Sequence, residues 1–483
     1  MHYDVILIGG GVVGCAVARE LARYDLSVAL LEKTADVCNG QSKANTAIVH
    51  GGYDAAPGSN KAKFNVRGNA MFERVAKELS VPFSRNGSLV VAFEEGGLPA
   101  LMELKRRGEA NGVKGLAILG REALIAREPN LNPEACAALD VPTGGIVCPY
   151  ELTVAYAENA AQNGVAFFRE TPVTAVSRSA DGCWWVETRR GAFMARAVVN
   201  CAGVHSAEFN NMVSEEKHCI TARRGEYYIV DKNYRDAFRS TIFQLPTAMG
   251  KGVLIAPTVD GTILIGPTAD DIPDKDDTRT TAAGLARVLE RAKRSWPTLP
   301  ERAFITTYAG VRAHAETDDF ILGEPADAPL FFNALGVESP GLSAAPALGE
   351  FLAQAVAERL GAKPNPAFIP IRPGIPKFRD MTDAQREAAI ARDPDYAKIV
   401  CRCELVTEAE IRAAIRRPVG ARTVDGVKRR TRAGMGRCQA GFCLPRTLEL
   451  LAEELAVPEL SITKCGGESR YLKSDLFGGK AEG

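Results

Sequence analysis

The sequence contains no run of about 18 consecutive apolar residues, which is the length that a membrane-spanning helix needs. Its apolar start carries Asp4 and a glycine turn, where a secretory signal would have a basic segment and a small-residue cleavage site. These two absences exclude the usual membrane-spanning and exported classes. The sequence therefore predicts a cytosolic protein, with peripheral attachment to a membrane through a partner left open.

Net charge is absent as well. The 59 Lys and Arg residues balance 59 Asp and Glu residues, so the formal net charge is zero. The chain as a whole offers no general electrostatic attraction to nucleic acid or to an anionic membrane, and no nucleic-acid partner is expected. The length of 483 residues suggests about three domains, with ample room for a large core.

Twelve cysteines in a chain of this length do not indicate a secreted disulfide framework. Eight are scattered and are interpreted as small apolar core residues: Cys15, Cys38, Cys136, Cys148, Cys183, Cys201, Cys219 and Cys465. The other four fall in one short region near the C-terminus: Cys401, Cys403, Cys438 and Cys443. Their spacing indicates a separate site.

The first 32 residues predict a nucleotide cradle. A buried strand over 5–8 leads into Gly9, Gly11 and Gly14, which form Gly-x-Gly-x-x-Gly, and a helix is predicted from Val12 to Tyr24. In such a turn the glycines allow a tight bend, a close approach to a pyrophosphate, and close packing of helix on strand. The helix N-terminus then faces the phosphates.

A second strand over 28–31 delivers Glu32, eighteen residues after Gly14, where a carboxylate can accept hydrogen bonds from ribose hydroxyls. Strand, glycines, helix, strand and acid together predict a dinucleotide site. The motif alone does not separate FAD from NAD, because both contain the adenosine diphosphate half.

The loop SKANTAIVHGGY that follows the cradle makes the resemblance specific. With the glycine motif and Glu32 it resembles the D-amino-acid-oxidase-like flavoprotein superfamily. Within it, the chain is most similar to FAD-dependent glycerol-3-phosphate dehydrogenases and oxidases and to L-2-hydroxyglutarate dehydrogenases. The resemblance implies FAD, held by Gly9, Gly11, Gly14, Glu32, Ser42, Asn45, Thr46, Ala202, Gly203, Gly341 and Leu342.

Residues 220–325 are rich in strand patterns and predict an antiparallel substrate sheet, with Asp260 and Gly261 as a two-residue hairpin turn. On general grounds Lys251 and Arg312 are surface charges. The resemblance instead implies that both hold an anionic substrate, with Ser339 nearby. It also implies that His50 accepts the substrate's hydroxyl proton; packing against the flavin is the alternative role.

The predicted fold is α/β plus α+β: a Rossmann-like FAD-binding domain, an antiparallel-sheet substrate domain and a small helical C-terminal [2Fe-2S] domain. The FAD-binding domain is assigned to 1–85, 140–212 and 325–362, and the substrate domain to 86–139 and 213–324. A proline-rich linker covers 363–380 and the C-terminal domain with its tail 381–483. Thr382 with Gln385, and Thr407 with Glu410, predict helix starts by capping boxes.

Four thiolates can hold zinc or an iron–sulfur cluster. The single residue between Cys401 and Cys403 argues against zinc, which usually has two to four residues between paired cysteines. The spacing Cys-x-Cys, 34 residues, Cys-x4-Cys resembles the bacterioferritin-associated-ferredoxin-like [2Fe-2S] domain. Residues 411–437 carry nine basic residues and one acidic residue. These cations are interpreted as stabilising an anionic cluster, with a solvated face and nucleic-acid binding as alternatives.

The leading hypothesis for function is oxidation of sn-glycerol 3-phosphate to dihydroxyacetone phosphate by hydride transfer to FAD, with electrons leaving through the [2Fe-2S] cluster to a redox partner protein or subunit. The nearest alternative is an L-2-hydroxyglutarate or other 2-hydroxy-acid dehydrogenase. An amine or amino-acid oxidoreductase and a non-catalytic electron-transfer subunit are further alternatives.

Overall fold

The computed structural model describes residues 1–245 and 252–472. Its α-helices in these ranges are α1 Val12–Leu21, α2 Asn60–Leu79, α3 Leu98–Ala110, α4 Arg121–Arg127, α5 Pro149–Gln162, α6 Ser206–Val213, α7 Ala282–Ser295, α8 Gly341–Leu360, α9 Asp383–Arg392, α10 Glu408–Arg416, α11 Val424–Thr431 and α12 Leu444–Leu455. None of these helices is long and apolar enough to cross a membrane.

The strands in the same ranges are β1 His2–Ile8, β2 Val28–Leu31, β3 Ile48–Val49, β4 Phe83–Ser84, β5 Ser88–Ala92, β6 Ala117–Gly120, β7 Ala137–Val141, β8 Gly145–Val147, β9 Ala166–Phe168, β10 Val173–Arg178, β11 Trp184–Thr188, β12 Gly191–Asn200, β13 Ile220–Val230, β14 Thr241–Gln244, β15 Leu254–Pro257, β16 Ile263–Gly266, β17 Asp270–Ile272, β18 Phe304–Ala315, β19 Ile321–Gly323, β20 Phe331–Leu335, β21 Ile399–Cys401 and β22 Val406–Thr407.

An eight-stranded sheet carries the glycine-rich turn. Its order is β10-β11-β12-β1-β2-β9, with β20 beside β12 and β19 beside β20. Strands β1, β2, β9, β12 and β20 are parallel, and β1 and β2 are apolar because helices cover the sheet. Helices α1, α5 and α8 share one large apolar cluster with α2. The first helix ends at Leu21, three residues before the predicted Tyr24.

A nine-stranded sheet has the order β17-β13-β16-β15-β14-β5-β7-β6, with β18 paired to β13. It is antiparallel as predicted except for one pair, β14 and β5, which are parallel. The predicted hairpin turn differs: Thr258 N donates to Thr262 O at 2.9 Å, so three residues, 259–261, form the loop. The domain boundaries stay a prediction. Strand β19 falls within the predicted substrate domain, 213–324, but pairs with β20 in the first sheet.

The C-terminal region begins with an extended segment lying along α1, α2 and α5. Arg372 in this segment donates to Glu158 at 2.7 Å, and Asn159 donates to the carbonyl of Ile369 at 3.0 Å. Helices α9 and α10 then start with the predicted capping boxes, which the structure confirms. Helices α10, α11 and α12 pack around a separate apolar cluster.

The basic residues of 411–437 are mostly engaged in ion pairs with carboxylates rather than spread over a solvated face. Arg429 and Arg430 contact Asp36, Arg417 contacts Glu158, and Arg432 contacts Asp260 and Glu404. Most of these carboxylates belong to the two sheet-bearing regions of the chain. The arginines therefore attach the C-terminal helices to the rest of the molecule.

Candidate active site

One cavity of about 1550 Å³ extends from the ends of β1 and β2 to the face of β13 and β18. It brings together most of the predicted site residues: Gly9, Gly11, Glu32, Ser42, Asn45, Thr46, His50, Ala202, Gly203, Arg312, Ser339, Gly341 and Leu342. Gly14 does not line this cavity but packs against Gly9 and Cys201. Lys251 falls outside the described residues.

The glycine turn after β1 is packed too closely for side chains. A Cβ added to Gly14 would lie 2.0 Å from the carbonyl oxygen of Gly9. Gly9 has a φ of +106°, and its added Cβ would lie 2.5 Å from the carbonyl oxygen of Cys201, next to Ala202. Strand β1, helix α1 and the end of β12 therefore meet backbone to backbone, as a dinucleotide cradle requires.

The N-terminus of α1 faces the cavity without a side-chain cap from its own N-cap residue, Gly11. Ser42 accepts a hydrogen bond from Val12 N at 2.9 Å, from a loop 30 residues away. The positive end of the helix dipole suits a pyrophosphate at this position.

Glu32 lies at the end of β2 and is buried. One of its carboxylate oxygens accepts from Gly10 N and the other from Thr34 N, each at 2.8 Å. Burial raises the pKa of Glu32, and these hydrogen bonds oppose that rise. Thr34 Oγ1 also donates to Oε1 at 2.8 Å, whereas Oε2 accepts, among the described residues, only from Gly10 N and keeps a lone pair for a ribose hydroxyl.

His50 follows β3 in the middle of the cavity. Its Nε2 lies 3.3 Å from Ser339 Oγ, and its backbone N donates to Ser343 Oγ at 2.7 Å. Asn69 donates to the His50 carbonyl at 2.9 Å. These contacts hold His50 between α2 and the start of α8, where Gly341 and Leu342 line the same cavity.

Arg312 lies on β18 directly opposite Arg223 on β13, and both line the cavity. Like charges opposite each other destabilise an antiparallel pair. Asp271 neutralises Arg223 at 2.7 Å, whereas Arg312 donates to the carbonyl of Thr268 at 2.6 Å and, within the described part of the chain, forms no ion pair. A guanidinium has five N–H donors, so Arg312 has donors left for an anion.

The four predicted ligand cysteines form two pairs. Cys403 Sγ lies 3.7 Å from Cys438 Sγ, and Cys401 is hydrogen bonded to Cys443. No three of these sulfurs lie within 4.8 Å of one another in the described ranges. A tetrahedral zinc site would place all four about 3.8 Å apart, given Zn–S bonds of about 2.3 Å. Two separate pairs instead fit two metal ions, as in a [2Fe-2S] cluster.

Comparison with known families identifies the part of the chain that forms the cavity. Residues 4–355 match the family described as FAD dependent oxidoreductase. The chain belongs to this FAD-dependent oxidoreductase family. Residues 399–453 of the oxidoreductase match the BFD-like [2Fe-2S] binding domain.

Two relatives support this assignment. The oxidoreductase is 47% identical over 465 residues, 96% of each chain, to a glycerol 3-phosphate dehydrogenase of Caloramator mitchellensis. It is 33% identical to a glycerol 3-phosphate oxidase of Mycoplasma pneumoniae, over 75% of this chain and 96% of the relative. A solved FAD-bound L-α-glycerophosphate oxidase from M. pneumoniae superposes with a TM-score of 0.73 at 31% identity, covering 77% of this chain and 98% of that one.

The two predicted cofactors, FAD and a [2Fe-2S] cluster, are thereby confirmed for this oxidoreductase. The side-chain-free turn at Gly9 and Gly14 fits FAD, and the paired thiols fit the cluster. The roles of individual residues stay predictions.

Sequence reasoning missed a cluster of four cavity residues: Lys61, His314, Asp318 and Glu338. Lys61 donates to Asp318 at 2.8 Å and to Glu338 at 3.1 Å, and His314 lies 2.9 Å from Glu338. His314 is two residues after Arg312 on β18, so strand periodicity could have placed it on the same face. Glu338 immediately precedes Ser339, but nothing in the sequence signals its contact with Lys61.

Substitution of Gly14 by Ala is expected to abolish FAD binding, because the new Cβ would collide with the backbone of Gly9. Gly40→Ala is the matched control, since Gly40 lines the same cavity and its added Cβ would have nothing within 4 Å. The ratio of flavin to protein absorbance measures the outcome. Cluster absorbance should persist in both variants; full FAD occupancy in Gly14→Ala would contradict the cradle.

Proposed function

We propose that this oxidoreductase oxidises sn-glycerol 3-phosphate to dihydroxyacetone phosphate and passes the electrons through its [2Fe-2S] cluster. The observation that carries the proposal is the 47% identity to a glycerol 3-phosphate dehydrogenase over 96% of both chains, which includes both cofactor-binding regions. The residues that line the cavity support the same proposal independently.

The substrate's phosphate would bind at Arg312. A guanidinium matches a phosphate or carboxylate with two parallel hydrogen bonds, and Arg312 lines the same cavity as His50. Lys251 stays a predicted second cation for the same anion. Ser339 would hold the hydroxyl end, because its Oγ lies beside His50 Nε2.

His50 would act as the general base. A neutral imidazole accepts the hydroxyl proton at Nε2, the atom that Ser339 contacts. FAD, when bound, supplies the acceptor for the hydride that leaves the carbinol carbon. The ring centroid of Phe243 lies 5.8 Å from that of His50, so the imidazole has an aromatic neighbour in the cavity.

Oxidation of the alcohol to the ketone releases two electrons and two protons. A [2Fe-2S] cluster accepts and donates one electron at a time. The two electrons of each turnover would therefore leave the protein in two separate transfers. Cys401, Cys403, Cys438 and Cys443 would hold the two irons in the pairs described above. The substrate domain would then bind the substrate, the FAD-binding domain the flavin and the C-terminal domain the cluster, and electrons would pass in that order.

The proposal is tested by adding sn-glycerol 3-phosphate to the oxygen-free protein and recording its visible spectrum. Loss of flavin absorbance followed by partial loss of cluster absorbance is expected. In Cys403→Ser, flavin bleaching should remain while the cluster signal is absent. Bleaching by L-2-hydroxyglutarate or an amino acid, with no response to glycerol 3-phosphate, would overturn the substrate; no bleaching by any of them would favour a relay subunit.

Substitution of Arg312 by Gln is expected to lower kcat/KM for glycerol 3-phosphate by about 10- to 150-fold, because a charged hydrogen-bonded contact contributes about 1.5–3 kcal/mol. Most of the change should lie in KM. Arg223→Gln is the control, since Asp271 already neutralises that opposite arginine. Equal losses in both variants would contradict the assignment of the anion to Arg312; steady-state kinetics distinguish the cases.

A further inference from the structure

The thiolate site has one edge at the protein surface. Cys401 and Cys443 are 2% and 3% exposed, whereas Cys403 is exposed and Cys438 is partly exposed. An electron that leaves a cluster held by these residues therefore has its shortest route to solvent on the side of Cys403 and Cys438.

A large, exposed apolar side chain lies on the loop that carries Cys438 and Cys443. Phe442, which precedes Cys443, is 86% exposed, the highest value for a large apolar residue in the described ranges. Leu405, two residues after Cys403, is 39% exposed. Aromatic residues, Phe included, are enriched in the cores of protein–protein interfaces, where a few residues contribute most of the binding energy.

The loop that carries Phe442 is structured. Gly441 N donates to Cys438 O at 3.0 Å, Leu444 N donates to Ala440 O at 3.1 Å, and Cys443 is the N-cap residue of α12. Gln439 and Ala440 have φ values of 47° and 74°, an unfavourable conformation for residues other than glycine. The Phe442 ring is thus held in the solvent by a defined turn.

The exposed charges on the two ligand loops, 399–405 and 434–445, have one sign. Arg402 is exposed, and it forms no ion pair within the described ranges. The Arg437 side chain is 65% exposed and contacts Asp231 at 3.0 Å. Glu404, the acidic residue of these loops, is buried against Lys232, Arg379 and Arg432. An acidic partner would be attracted to this edge and a basic one repelled.

We infer that Arg402, Cys403, Leu405, Arg437 and Phe442 form the docking face for an acidic, one-electron redox protein. This inference rests on the proposed function, since it specifies the partner that oxidises the cluster. Phe442 and Leu405 would provide the apolar contact, and Arg402, which has no carboxylate partner within the described ranges, the orientation; the Arg437 charge is neutralised by Asp231. Each encounter moves one electron from the reduced cluster to the partner, so two partner molecules are reduced for every substrate oxidised.

The test uses the holoenzyme reduced with dithionite, so that it does not depend on the substrate. The reduced protein is mixed with cytochrome b5, an acidic haem protein, or with cytochrome c, a basic one, and haem reduction is followed by stopped flow. The second-order rate with cytochrome b5 is expected to fall at least tenfold between low and high salt. The rate with cytochrome c should not fall with salt.

Two variants locate the effect. Arg402→Glu and Phe442→Ala are each expected to slow reduction of cytochrome b5 about tenfold or more, while flavin bleaching by substrate stays unchanged. Arg106→Glu and Met102→Ala are matched controls on α3, exposed by 72% for the Arg106 side chain and 58% for Met102. Both should behave as wild type.

Unchanged rates with cytochrome b5 in both face variants would overturn the docking face, even where the substrate assignment holds. Failure of glycerol 3-phosphate to bleach the flavin, with salt- and variant-dependent haem reduction intact, would overturn the proposed substrate instead. Concentration-dependent sedimentation that disappears in Phe442→Ala would show that a second copy of the chain occupies this face, and would also overturn the inference.

Discussion

Replacing His50 by Asn is expected to lower the rate of flavin reduction by glycerol 3-phosphate by about 10²- to 10⁴-fold, the usual contribution of a general base. Asn retains a polar group near Ser339 but accepts no proton at neutral pH. The rate constant is measured by anaerobic stopped flow at saturating substrate, so that a change in binding does not contribute. His50 Nε2 is the imidazole nitrogen that contacts Ser339 in the cavity.

The pH dependence of the rate of flavin reduction distinguishes a general base at His50 from a histidine that only packs on the flavin. A base must be neutral, so the wild-type rate should rise with pH over the histidine range, and this limb should disappear in His50→Asn. His205→Asn is the control, because His205 also lines the cavity but pairs with Glu208 and Asp276. A slow variant that keeps the wild-type pH limb would contradict the assignment.

Replacing Asp36 by Asn is expected to lower the free energy of unfolding by about 3–5 kcal/mol, the usual cost of breaking a buried ion pair. Asp36 is 1% exposed and accepts from Arg430 at 2.7 and 2.8 Å and from Arg429 at 3.0 Å. Its loss leaves two buried guanidinium groups without this carboxylate. Because Asp36 is four residues after Glu32, the contact joins the C-terminal helices to the flavin-binding loop.

Urea unfolding, followed separately by flavin and by cluster absorbance, measures this effect. Asp276→Asn is the control: that carboxylate side chain is 67% exposed and pairs with Lys33 at 2.9 Å, so its removal should cost no more than about 1 kcal/mol. The cluster signal of Asp36→Asn should be lost at lower urea than that of the control. Identical midpoints would show that the arginine contacts do not hold the C-terminal helices.

The same pair has a predictable pH dependence. Burial raises the pKa of Asp36, but Arg430 and Arg429 outweigh it and lower the pKa from 3.8 to about 2. Because the folded pKa is lower than the unfolded one, the ionised pair stabilises the fold above about pH 4, and this contribution is lost as pH falls towards 2. The difference in urea midpoint between wild type and Asp36→Asn should be constant from pH 5 to 8 and shrink below pH 4.

Some features of this protein follow from local sequence. The strand, Gly-x-Gly-x-x-Gly turn, helix and Glu32 lie within 32 consecutive residues, and the structure has them there because each part depends on its neighbours in the chain. The capping boxes at Thr382 and Thr407 are local in the same sense. The cysteine spacing and the loop after Glu32 were sufficient, through the resemblance, to identify both cofactors.

Local preference misled at one turn. Asp260 and Gly261 favour a two-residue hairpin, but Thr258 and Thr262 pair instead and leave a three-residue loop. The Asp260 side chain is nearly fully buried and contacts Arg379 and Arg432 from the C-terminal region. Contacts of Asp260 with residues far away in the sequence therefore accompany a longer loop than the Asp-Gly dipeptide favours.

The pairings between distant segments depend on the folded packing and not on local sequence. The opposition of Arg223 and Arg312, the contact of Asp36 with Arg430, and the division of four thiols into two pairs join residues 35 or more positions apart. Such contacts depend on strand register and on the packing of helices from different parts of the chain. Local motifs were enough to indicate FAD and a [2Fe-2S] cluster, whereas the tertiary packing places Arg312 in the cavity and leaves one of the two thiol pairs at the surface.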